Sequence, residues 1–77
     1  MNKIRRQKIN DCIVKLEDIK SELDSVRDDE ECAKDATPEN LQDTDRYYDM
    51  ESNVDDLDSV VGLLDDAIDI LQGVIDK

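Results

Sequence analysis

Seventy-seven residues, a formal charge of −12, no His and an aromatic share of 3% bound this chain to one small domain with no imidazole base and no ordinary zinc site. At this size a lone core seldom supplies enough stability, so assembly or another supplement is expected. Tyr47 and Tyr48 are the only aromatic side chains, so Leu, Ile and Val must build the interior.

The chain opens on a basic segment, Met1 to Lys8, which no uninterrupted apolar run follows. Neither a signal peptide nor a membrane span is expected, and the chain reads as cytoplasmic. Ile9, Cys12, Leu16, Ile19, Leu23, Val26 and Ala33 then recur at alternating steps of three and four, interrupted by Glu30. That is the period of an amphipathic helix offering a seam, and it predicts a first helix over about residues 2–34. Ile4 and Ile13 add a second apolar edge at its start. Cys12 falls in the stripe as a small core residue, and Cys32 falls on the outer face. Twenty helical residues separate the two, roughly 30 Å, so they cannot bridge, and free thiols suit a reducing compartment.

A connector of about residues 35–44 follows. Thr37 and Pro38 mark the break: Pro is disfavoured inside a helix but accepted at a first helical position behind a Thr cap. Glu39, Asn40 and Leu41 read as one short turn. Asp43 or Thr44 can cap the second helix, expected over about residues 45–76, and Asp45 in its first turn favours the positive end of the helix dipole.

In that second helix Tyr47, Met50, Val54, Leu57, Val61, Leu64, Ile68, Leu71 and Ile75 repeat the same step without a fault. A parallel set, Val60, Leu63, Ala67, Ile70 and Val74, widens the apolar arc beyond what one partner helix covers. The fold class is therefore all-α: two long antiparallel helices, a helical hairpin or coiled coil. Those five residues at the open end are the expected homodimer interface, closing a four-helix bundle. A monomer that leaves them partly exposed is the alternative.

Charge sorts along the same axis. Residues 1–27 hold seven basic and five acidic side chains, and residues 28–77 hold three basic and seventeen acidic, so the loop end is strongly negative. An EF-hand frame started at Asp56 fails, because Val61 stands where Gly is needed and Ala67 where the bidentate Glu is needed. No catalytic constellation appears, so neither an enzyme nor a cofactor is expected. Asp outnumbers Glu sixteen to six although Glu is the better helix former, a choice that solubility alone does not explain. Asp55, Asp58, Asp65, Asp66, Asp69 and Asp76 project from the second helix away from its core stripe. Neighbours three or four apart lie about 5 to 6 Å from each other, comparable to the phosphate spacing of a nucleic-acid strand. Such a row fits a basic groove of a nucleic-acid-binding host protein, and the attraction would be salt-sensitive. A merely solvated, Asp-rich face is the plainer account. Direct nucleic-acid contact through Lys3, Arg5, Arg6 and Lys8 is disfavoured by the overall charge. Gly62 and Gly73 fall on the acidic side, either tolerated there or allowing a partner's backbone to come close.

The run Pro38, Glu39, Asn40, Leu41, Gln42, followed by Arg46 and Tyr47, resembles an element of short acidic helical-hairpin proteins of phages and mobile elements of Gram-positive bacteria. There a Pro-Glu-Asn-Leu-Gln turn joins a helix with a basic start to a helix that opens on a Ser or Thr cap and an Arg-Tyr pair. The resemblance covers most of the chain, with the turn as its specific motif. Asp43 and Asp45 depart from it, standing where Gly and Glu are often found. It implies a mobile-element origin and favours interference with host machinery, of anti-restriction or anti-CRISPR type, over metabolism. An adaptor whose role is oligomerisation is the competing expectation.

Overall fold

The computed structural model describes all 77 residues, 88% of them helical, with no strand. Helix α1 spans Lys3–Asp35, a single 3-10 turn covers Glu39–Leu41, and α2 spans Asp45–Asp76. The two long helices pack side by side as a hairpin, a rod of 60 × 15 × 13 Å. Both helices start on a polar cap. The Asn2 side-chain oxygen accepts from the Arg5 backbone N–H at 2.8 Å, and the Thr44 hydroxyl accepts from the Tyr47 N–H at 3.3 Å. Each cap satisfies one of the backbone donors that a helix start leaves without a partner. The Thr44 hydroxyl also donates to the Leu41 carbonyl at 2.8 Å, tying the cap to the 3-10 turn.

Thr37 does not cap the short turn as its position before Pro38 predicted. Its hydroxyl donates to the Ala33 carbonyl at 3.0 Å, closing the last turn of α1, and the 3-10 turn has no side-chain cap. Backbone hydrogen bonds from Ala36 to Cys32 and from Thr37 to Lys34 keep Thr37 wound close to α1, which leaves its side chain nearer the preceding carbonyl than the following turn.

The α2 seam matches the sequence reading: all nine residues from Tyr47 to Ile75 are buried or half-buried. In heptad terms Tyr47, Val54, Val61, Ile68 and Ile75 take a positions, and Met50, Leu57, Leu64 and Leu71 take d positions.

The α1 seam corrects it. Ile13, Lys20, Arg27 and Lys34 take the a positions there and Ile9, Leu16, Leu23 and Glu30 the d positions, each buried or half-buried. Cys12 is exposed, not a core residue, and so are Ile19, Val26 and Ala33. Ile13, assigned to an edge, is 2% exposed and the most buried residue of the chain, whereas Ile4 stays 68% exposed. The helix has turned by about one residue relative to its most apolar stripe. In this rotation Lys20 and Arg27 lay their aliphatic stems over the α2 seam and carry their charged ends to acids on its flank. The Lys20 ammonium meets Asp65 at 2.5 Å and the Arg27 guanidinium meets Asp58 at 2.7 Å. Glu30, the apparent fault in the stripe, accepts from the Asn53 side-chain amide at 2.7 Å.

Only Ile13, Val54 and Ile68 are buried, and none of them completely, because a two-helix rod has a seam and no interior. The apolar residues displaced from the α1 seam therefore lie on the surface, which defines the sites that follow.

Candidate functional site

Two faces of the rod differ in chemistry, and the seam decides which residue falls on which. On one flank lie the e positions of both helices: Glu17, Asp24 and Glu31 on α1, Glu51, Asp58 and Asp65 on α2. Arg27 is the main tie across this flank. It donates to both Asp58 carboxylate oxygens, to Asp28 at 3.1 Å and to Glu31 one turn on. Hydrogen bonds to Asp58 and then Asp28, with the charges of Asp58 and Glu31, hold the guanidinium well above the usual arginine range against a smaller opposing desolvation. Lys20 is likewise raised above 10.5, chiefly by its hydrogen bond with Asp65, with the charges of Asp65, Asp24 and Glu17 adding to it and desolvation opposing.

The six aspartates singled out in the sequence therefore divide. Asp58 and Asp65 are committed to the seam cations. Asp55, Asp66, Asp69 and Asp76 are exposed, make no ion pair, and stand one step farther round α2 at b and f positions. The acidic side is also wider than the α2 row alone. Glu17, Asp24 and Glu31 extend it across α1, a contribution the sequence signals by their seven-residue recurrence once the a positions are known.

The opposite flank is apolar. Val60, Leu63 and Ile70 are exposed, and Ala67 and Val74 half-buried, so all five expected interface residues lie on one side of α2. The displaced Cys12, Ile19 and Val26 of α1 occupy g positions on the same flank, with Ile19 46% and Val26 52% exposed. Sequence reasoning missed these three as surface residues because it placed them in the seam.

At the loop end, Ala33, Thr37, Pro38, Leu41, Tyr47 and Met50 line most of a groove of about 530 Å³. Tyr47 is half-buried and closes this end of the seam. Tyr48, 51% exposed, faces out, its ring set edge-on to that of Tyr47 at 6.1 Å. The Gln42 amide donates to the Thr37 carbonyl at 3.3 Å, so the turn motif braces its own backbone. No helix is long and apolar enough to cross a membrane, and no three His, Cys, Asp or Glu side chains stand close enough to hold a metal ion. No protein-family model, curated protein or solved structure matches the chain.

Proposed function

We propose that this chain is a non-enzymatic protein-binding module of phage or mobile-element origin, an inhibitor of a host nucleic-acid-handling or defence protein of the anti-restriction or anti-CRISPR type. Its acidic flank takes the place of a nucleic-acid strand in a basic groove. One observation carries the reading: after the seam has used Asp58 and Asp65, the row of Asp55, Asp66, Asp69 and Asp76 remains exposed and without a cation along a stiff rod. Short carboxylates on a rigid helix hold their charges at fixed spacing, so little ordering is left for the moment of binding. The association would be fast and salt-dependent, as phosphate contacts are.

The test is competition. A basic host nuclease or DNA-binding protein captured by the immobilised chain should be released by duplex DNA and by raising salt from about 50 to about 200 mM. Capture should fall when Asp55, Asp66 and Asp69 are changed together to Asn. Capture that ignores salt, DNA and these substitutions refutes the acidic route.

A second reading, an adaptor whose product is assembly, rests on a separate observation, the exposed apolar flank of Val60, Leu63 and Ile70. On that reading polar replacements at these three positions abolish function, and the Asp changes leave it intact.

A further inference from the structure

We infer that the apolar flank is covered by a second copy of this chain, laid face to face and antiparallel, with the two-fold axis passing through the level of Ile19 and Ala67. The argument starts from register. Lys20 across from Asp65 and Arg27 across from Asp58 bring Val26 level with Val60, Ile19 with Ala67, and Cys12 with Val74. These six residues, all at g positions, form the centre line of the flank.

The c positions lie outboard of that line and would border the facing helices of a second hairpin. Along α1 they read Lys8, Lys15, Glu22, Asp29, and along α2 they read Asp56, Leu63, Ile70, Lys77. Each series is complementary to its own reverse. Turned about an axis through the Ile19 level, Lys15 meets Glu22 of the second copy and Lys8 meets Asp29. On the other edge Leu63 meets Ile70 of the second copy and Asp56 meets Lys77. The same axis serves both helices, because Ile19 and Ala67 share a level. A parallel face-to-face pair would instead set Lys8 beside Lys77 and Asp29 beside Asp56, like charge on like charge. A foreign partner has no need of such self-complementarity, whereas a two-fold interface, which uses the same patch twice, requires it. The acidic flank stays outside this contact, so the inference stands independently of the partner proposed above.

Sedimentation equilibrium tests the assembly, and charge exchange tests its direction. The unsubstituted chain should sediment as a dimer. Lys15→Glu alone and Glu22→Lys alone should each weaken it by about tenfold, since each creates two like-charge contacts per dimer, and the double exchange should restore it. A cross-link gives a readout that does not depend on those variants. With Cys12 and Cys32 changed to Ser, Ala67→Cys should form a disulfide-linked dimer with itself under mild oxidation. A monomer at every concentration, a double exchange as weak as either single change, or cross-linking of Ala67→Cys only to a chain carrying Ile19→Cys would each overturn the arrangement.

Discussion

Ile13 and Ile70 are the same residue in opposite settings, so truncating each to Ala separates seam packing from surface assembly. Ile13 is 2% exposed between the two helices, and Ile70 is 68% exposed on the apolar flank. Removing a buried Ile to Ala costs about 2 to 5 kcal/mol, the spread reflecting how far the surroundings close over the gap. A seam open to water on both flanks closes readily, which places Ile13→Ala near the lower end, about 2 to 3 kcal/mol. For a domain of this size that lowers the melting temperature by about 10 to 20 °C. Ile70→Ala removes little burial within one hairpin and should cost less than about 0.5 kcal/mol there. It does remove a contact to Leu63 of the second copy, twice per dimer. Thermal melts followed by far-ultraviolet circular dichroism, repeated across a dilution series, distinguish the two. On dilution Ile70→Ala should converge on the unsubstituted chain, while Ile13→Ala stays far below it. Equal losses for the two variants at every concentration would refute both the seam assignment and the exposed flank.

Three further outcomes follow from local geometry. Thr44→Ala deprives the Tyr47 N–H of its acceptor and should destabilise by about 1 kcal/mol, read as a fall in the urea midpoint, whereas Thr44→Asn should largely retain it. Gly62→Ala and Gly73→Ala each place a methyl group in open space within a helix and should stabilise by about 0.5 to 1 kcal/mol; a double variant that melts higher yet loses its partner would show that the partner's backbone approaches there. Lys20 is raised above 10.5 when folded, so its contribution is complete below that pH and fades as pH rises through the higher folded value. An alkaline titration of stability should therefore show a loss that Lys20→Met lacks, and identical profiles would contradict the Lys20–Asp65 pair.

Periodicity made the hairpin legible because α2 has one uninterrupted apolar stripe, and burial follows it at every position. Its boundaries were legible from Thr44 and Pro38, whose chemistry is local. The rotation of α1 was not. Counting apolar residues favours the stripe through Cys12, Ile19 and Val26, and the helix turns away from it, setting two cations against acids across the seam. That preference depends on where α2 lies, and α1's own pattern carries no trace of it. Heptads with Lys or Arg at a positions are readable only once the partner's e positions are known to be acidic, here Asp58 and Asp65. The same rotation divides the acidic row of six aspartates. The heptad of α2 already sets Asp58 and Asp65 at e positions beside the seam and Asp55 and Asp66 farther round at b and f, but the cations that commit the first pair come from the other helix.

The turn of α1 settles more than its own packing. Had the apolar stripe faced inward, Lys20 and Arg27 would have stood outside the seam, Ile19 and Val26 inside it, and the apolar flank would have rested on α2 alone. By spending two cations on the acidic flank, the fold neutralises the part of that flank nearest the seam, where like charges on the two helices come closest and repulsion would be greatest. The same rotation moves the remaining apolar side chains to the opposite flank. Grease and uncompensated charge therefore end up back to back. In the antiparallel pair the apolar flanks meet in the middle and the acidic flanks face outward on both sides. Assembly and partner binding then use different surfaces of one rod, so Asp55, Asp66 and Asp69 can be neutralised without touching the dimer, and Lys15 and Glu22 exchanged without touching the acidic row.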